Sequence, residues 1–196
     1  MELLKTSGPC AAPFAPLARF ARWVAPCALL LAVLPGGAHV VLEDQAALAG
    51  SSYKAVLRVG HGCDGAPTSA IRVRLPAGFQ GAKPMPKPGW QLSTRSEKLA
   101  QPYTSHGKTV SEDVVEITWT ATSRDHWLPD AWYDEFVLRG TLPASAGPLW
   151  FKVLQSCEPG RIDWAEVPAQ GTSTKGIKAP AALLEVIPSG RAGHAH

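Results

Sequence analysis

Charged residues are scarce in this sequence. They make up only 18% of its 196 residues, and the formal net charge at pH 7 is +3. No stripe of lysine and arginine residues runs along the chain, which argues against nucleic acid as a partner. Seven tryptophans accompany this low charge. Because disordered chains are rich in charge and poor in aromatic residues, the composition predicts a folded domain.

Long apolar runs are also missing. No stretch reaches the roughly 18 apolar residues that a membrane-spanning helix requires. The longest run, residues 23–34, follows several basic residues and has the length of the apolar region of a secretory signal peptide. Three small residues, Gly36, Gly37 and Ala38, then lie where a signal peptidase cuts. We therefore predict a signal peptide over residues 1–38; the alternative is an uncleaved anchor.

Cleavage after Ala38 would define the rest of the chain. Residues 39–188 are predicted to form one domain, and residues 189–196 a flexible tail. The mature protein would have no transmembrane span. It would be exported and lie in the periplasm or outside the cell.

Familiar enzyme motifs are absent as well. The chain contains no Gly-rich phosphate loop, no His-Glu-x-x-His and no Gly-x-Ser-x-Gly sequence. Asp134 and Glu135 are adjacent, so on a strand they face opposite ways and cannot act as an acid–base couple. The sequence predicts a binding protein and not an enzyme.

Cysteine is rare, with four residues in the chain. Cys10 and Cys27 fall within the predicted signal peptide, which leaves Cys63 and Cys157. An even pair in an oxidising compartment predicts one disulfide. The alternative, that both are thiolate ligands of a metal, is less favoured because most of the mature chain separates them.

Alternating apolar and polar residues are the main pattern of the mature chain. They occur over residues 53–59, 71–75 and 115–119, and shorter apolar runs cover 135–138, 149–154 and 183–187. Such alternation places one face of a strand in a core and the other in water. Glycine, proline and aspartate separate the runs, and helical spacing is lacking. The pattern predicts an all-β, immunoglobulin-like β-sandwich with one disulfide.

His39 would become the first residue after cleavage. A terminal histidine offers two nitrogens to one metal ion, the α-amine and the imidazole Nδ1. The α-amine has an ordinary pKa near 8, so a metal readily displaces its proton at neutral pH. Nitrogen ligands in a tetragonal arrangement suit Cu(II). The alternative is that histidine follows the signal peptide by chance.

Short motifs in a fixed order resemble the YcnI-like family of exported copper-binding domains. They are His39-Val40, residues 58–65, Pro67-Thr68, residues 71–76, 86–90, 117–119 and 133–136, and residues 155–157 followed by Trp164. They extend across nearly the whole mature chain. The resemblance implies a β-sandwich whose N-terminal histidine chelates Cu(II), with an acidic ligand and a nearby tryptophan.

These family roles fall on particular residues of this chain. His39 would chelate the metal, Asp64 would supply the acidic ligand, and Trp164 would lie beside the copper. An indole there could shield the ion from water and contact it through its ring face. The alternative for Trp164 is ordinary packing in the core, which large aromatic residues dominate.

The other histidines differ in what their surroundings allow. His61 precedes the turn at Cys63 and is either a second imidazole ligand or a partner of a backbone carbonyl. His106 lies in a turn between strands, and His126 has no partner at metal-binding spacing. The tail residues His194 and His196 would hold copper only loosely.

Three functions compete on this evidence. The first is copper handling in the cell envelope, as a carrier, buffer or chaperone with copper and other envelope copper-transport proteins as partners. The second is a copper monooxygenase that attacks polysaccharides, in which His61 completes the metal plane. It would need a broad exposed aromatic surface, and Trp164 and Asp64 would crowd its oxygen site. The third is an immunoglobulin-like interaction module without a metal.

Overall fold

Eleven strands account for most of the regular structure in residues 39–190, which the computed structural model describes. The predicted signal peptide and residues 191–196 lie outside the described residues. The strands are β1 Val41–Leu42, β2 Ala46–Leu48, β3 Ser52–Val59, β4 Thr68–Arg74, β5 Gln80–Pro84, β6 Trp90–Ser105, β7 Lys108–Ala121, β8 Asp134–Thr141, β9 Gly147–Cys157, β10 Arg161–Trp164 and β11 Ala182–Ile187. A short 3-10 turn spans Arg124–His126.

The strands form two sheets. One has the order β1-β3-β8-β5, and the other has the order β2-β11-β9-β4-β7-β6. β9 pairs with β4 along one edge, and on its other edge it pairs first with β11 and then with β10. Five of the six runs predicted from the sequence lie wholly within these strands, and the run 71–75 extends one residue beyond the end of β4, so the all-β prediction is confirmed.

The inward faces of both sheets build one apolar core. In β9, every second residue from Phe151 to Cys157 is buried, as the two-residue period of a strand requires. The rings of Trp90 and Trp119 meet Phe136 edge to face, with centroids 5.1 and 5.6 Å apart. Burying a large apolar side chain of this kind contributes roughly 1.5–3 kcal/mol. The core therefore dominates the stability of the sandwich.

A long hairpin of β6 and β7 is the largest element that alternation predicted only in part, through residues 115–119 of β7. Much of β6 is exposed, so no buried face imposes an alternating pattern on its sequence. Asp113 in β7 links the hairpin to β5 of the other sheet by accepting a hydrogen bond from the Gly81 N–H at 2.7 Å, and it links β7 to β6 by accepting one from the Tyr103 hydroxyl, also at 2.7 Å. Burial and the Asp113 hydrogen bond raise the pKa of Tyr103 to about 12.

The last strand leads away from the end of the sandwich that carries Cys157. Val186 of β11 pairs with Gly147, the first residue of β9, whereas Cys157 is the last residue of β9. His194 and His196, the predicted loose copper ligands, lie outside the described residues. In residues 39–190, no helix has the length and apolar character needed to cross a membrane.

Candidate metal centre

The pairing of β1 with β3 brings His39, the predicted terminal residue, to the same end of the sheet as His61. Val41 of β1 pairs with Arg58 of β3 in an antiparallel ladder. His39 precedes that pair by two residues, and His61 follows it by three. The segments that carry the two histidines therefore emerge side by side at one end of the four-stranded sheet.

Trp164 contacts both histidine rings. Its ring centroid lies 5.5 Å from that of His39 and 6.1 Å from that of His61, and both contacts are edge to face. The centroids of the two imidazole rings can therefore be no farther apart than the sum of these two distances. The indole is almost completely buried and belongs to the core as well. Trp164 therefore packs in the core and also forms the surface that both imidazole rings contact.

His61 contacts a backbone carbonyl, which is one of the two roles that the sequence allows for it. Its Nδ1 lies 2.5 Å from the carbonyl oxygen of Gly62. A carbonyl oxygen can only accept, so a hydrogen bond here requires a proton on Nδ1. Metal-binding histidines commonly donate their second ring N–H to such an acceptor, which fixes the ring orientation. The contact therefore fits a backbone partner and a metal ligand equally well.

The loop after His61 is held by several contacts. The Gly62 N–H donates to Asp130 Oδ1 at 2.9 Å, and a Cβ on Gly62 would lie 1.8 Å from the Ala66 carbonyl oxygen. Only glycine fits at this close backbone approach. Cys63 forms the predicted disulfide with Cys157. The alternative of two thiolate ligands is therefore wrong, because both sulfur atoms are already bonded.

Asp64 lies on an exposed turn three residues after His61. It sits at the tip of the tight turn in which the backbones of Cys63 and Ala66 exchange two hydrogen bonds, with a φ of 50°. Within residues 39–190, it does not form a metal-binding group with the two histidines. The structure thus brings His39 and His61 together at Trp164 without adding Asp64 to them as a third side-chain ligand.

Gln155 is a site residue for which the sequence suggested no role. It is 0% exposed, and its amide makes three hydrogen bonds. Nε2 donates to the His61 carbonyl oxygen and to Thr68 Oγ1, both at 2.7 Å, and Oε1 accepts from Trp164 Nε1 at 2.9 Å. The sequence contains one signal for Gln155: it is a polar residue at a position of β9 that alternation predicts to be buried, and a buried polar side chain needs hydrogen-bond partners.

Side-chain ligands alone do not make a complete metal site here. Across residues 39–190, no group of three or more histidine, cysteine, aspartate or glutamate side chains could hold a metal ion. Two imidazoles meet at Trp164, and a third nitrogen would come from the α-amine of His39 after cleavage. Such a set combines nitrogen ligands of the type that Cu(II) prefers.

Two exposed aromatic residues lie near this end of the sandwich. Trp132 and Tyr133 are 66% and 62% exposed. They directly precede β8, whose residue Asp134 pairs with Val59, the last residue of β3. The Arg58 guanidinium lies 5.9 Å from the centroid of the Tyr133 ring. Within residues 39–190, the strongly exposed aromatic residues are thus these two neighbours, and a guanidinium lies near the ring of one of them.

Comparisons with known proteins define the fold and the family. A crystal structure of an uncharacterized protein from Nocardia farcinica, described as having an immunoglobulin-like fold, matches 76% of this chain and 97% of its own chain, with 23% identity and a TM-score of 0.58. The predicted immunoglobulin-like sandwich is therefore confirmed. The search of curated proteins finds no match. A family described as a domain of unknown function, DUF1775, matches residues 39–186. This chain belongs to the DUF1775 family.

Proposed function

We propose that the mature protein is an exported Cu(II)-binding protein that handles copper in the cell envelope, as a carrier, buffer or chaperone. The observation that carries the proposal is the contact of both His39 and His61 with the indole of Trp164. Two imidazoles from separate segments of the chain lie against one buried aromatic wall. Core packing does not require two histidines at one tryptophan, whereas a metal centre requires ligands from separate segments to lie close together.

The proposed ligands are nitrogen atoms. The α-amine and Nδ1 of His39 would close a chelate ring, and Nε2 of His61 would supply a third nitrogen. In a neutral imidazole, donation from His61 Nδ1 to the Gly62 carbonyl oxygen would place the lone pair on Nε2. The buried indole of Trp164 would exclude water from one side of the ion.

Two sequence observations support the export step and the metal. The family match starts at His39, the residue that cleavage would expose. The ordered motifs resemble the YcnI-like copper-binding domains, and membership of DUF1775 is consistent with that resemblance. The partners we propose are copper and other envelope proteins that transport it.

The exposed surface near the two histidines fits a copper-binding protein better than an enzyme that oxidises polysaccharides. An enzyme of that kind needs a broad aromatic plane for its substrate. The exposed pair Trp132 and Tyr133 is small, and Arg58 lies over Tyr133. An interaction module without a metal would not require both His39 and His61 to contact Trp164. We therefore place copper handling first.

The role of His61 can be tested in a protein that begins at His39. In a Cu(II) titration read by electron paramagnetic resonance, His61→Gln should weaken binding by at least about tenfold to a hundredfold, the loss seen when even an outer-shell partner of a metal ligand is removed. The matched control is His106→Gln, in an exposed hairpin turn, which should bind like the parent. Equal binding by all three proteins would remove His61 from the site, and no tight binding by the parent would refute the proposed function.

The acidic ligand remains a prediction from the resemblance. If Asp64 binds the ion, Asp64→Asn should lower the Cu(II) affinity at least about tenfold, because direct contact between a carboxylate and a cation is worth several kcal/mol even at an effective dielectric constant of about 20. Asparagine tolerates the left-handed backbone at this position, so the turn should persist. The same titration measures the effect, and an unchanged spectrum and affinity would exclude Asp64.

A further inference from the structure

We propose that Gln155 is the positioning residue of this centre: one buried amide sets the orientation of Trp164 and the path of the backbone at His61. The part of this inference that concerns copper rests on the proposed function. The geometric part concerns the protein without metal. Gln155 itself is not proposed as a ligand.

The amide of Gln155 uses its donors and its acceptor in the described hydrogen bonds. A primary amide has two N–H donors and one carbonyl oxygen. Here the donors reach the His61 carbonyl oxygen and Thr68 Oγ1, and the oxygen accepts from Trp164 Nε1. Each bond fixes a different segment: the loop after β3, the start of β4, and β10. No other natural side chain combines this shape with two donors and one acceptor in one plane.

These bonds control both imidazoles indirectly. Trp164 is the surface that the rings of His39 and His61 contact, so rotation of the indole would move both rings. The His61 carbonyl oxygen belongs to the peptide group that leads to Gly62, whose own carbonyl oxygen contacts His61 Nδ1 at 2.5 Å. Loss of the amide would therefore disturb the direction of Nε2 as well as the indole.

The position of Gln155 in the fold couples stability to the arrangement of its partners. It is 0% exposed and lies in phase with Phe151 and Val153 on the inward face of β9. An apolar side chain here would leave the Trp164 indole N–H and the His61 carbonyl oxygen without this hydrogen bond, and an unsatisfied buried polar group lowers stability. The amide therefore stabilises the core and, because its donors and acceptor lie in one plane, holds these groups in one arrangement.

Nuclear magnetic resonance of the metal-free protein tests the positioning directly. Gln155→Met keeps the size of the side chain and removes all three hydrogen bonds. We expect the Trp164 indole N–H to exchange at least about tenfold faster, after correction for global stability, and the ring protons of His39 and His61 to shift. The control is Leu184→Ala, which removes buried volume from β11 outside the centre. Signals in Gln155→Met that match those of the control would overturn the inference.

A second variant covers the case in which Gln155→Met does not fold. Gln155→Glu keeps an acceptor for Trp164 Nε1, and because burial favours the neutral carboxyl, it keeps one donor where the amide has two. The indole N–H should then stay protected, while the signals of His61 or of Thr68, which can no longer both receive a donor, shift. Unchanged signals of both residues would contradict a positioning role.

A copper titration separates this inference from the proposed function. If both hold, Gln155→Met should lower Cu(II) affinity by about tenfold to a hundredfold and alter the electron paramagnetic resonance spectrum, while Leu184→Ala should retain the parent spectrum. If the parent protein binds no copper, the proposed function fails, and the metal-free signals still decide the positioning role. If the parent binds copper and Gln155→Met binds it identically, the positioning role is wrong.

Discussion

One extra glycine before His39 is expected to abolish tight Cu(II) binding. The extension converts the α-amine of His39 into an amide, which cannot act as a basic amine ligand, and it breaks the proposed chelate ring. Both imidazoles remain, so weak binding should persist. We expect affinity to fall by at least about a hundredfold, more than the loss of an outer-shell partner causes.

The comparison needs two proteins that differ only in this residue. One begins at His39 and the other carries Gly before it, and both are titrated with Cu(II) and followed by electron paramagnetic resonance. Val40 is buried and β1 begins at Val41, so the fold should be unaffected by the change. Loss of the nitrogen-rich signal in the extended protein would support chelation by the terminal residue. Identical binding would exclude the amine and leave His61 as the centre of any site.

Much of the fold could be predicted from alternation because buried faces impose it. β3 and β4 each pack one face on the core, and their sequences show it. The hairpin of β6 and β7 lacks that constraint over much of its length, so the local pattern revealed only residues 115–119 of β7. The short strands β1 and β10 have too few residues to show a period.

The candidate site, like the fold, could be predicted from the sequence only in part. His39 could be proposed from the cleavage position, and Cys63 and Cys157 from their number and compartment. The contact of Trp164 with two histidines depends on the register of β1 on β3 and of β10 on β9, which no local pattern records. Gln155 requires the same long-range information. Asp64 came from the resemblance alone.

Replacing both Cys63 and Cys157 with alanine is expected to lower the free energy of unfolding by about 4 to 5 kcal/mol. The disulfide joins residues 94 positions apart, and cross-linking so long a loop removes much entropy from the unfolded chain. Small domains are stable by only about 5–15 kcal/mol, so the loss would be a large share of the total. Urea unfolding followed by tryptophan fluorescence measures it.

The same variant separates the stability role of the disulfide from the shape of the centre. Without the bond, the loop after His61 keeps the hydrogen bonds from Gln155 to the His61 carbonyl oxygen and from Gly62 to Asp130. The folded double variant should therefore retain the Cu(II) spectrum of the parent despite its lower stability. Unchanged stability would contradict the loop-entropy argument. A changed spectrum in the folded protein would show that the disulfide, and not the hydrogen bonds alone, holds the histidine loop in place.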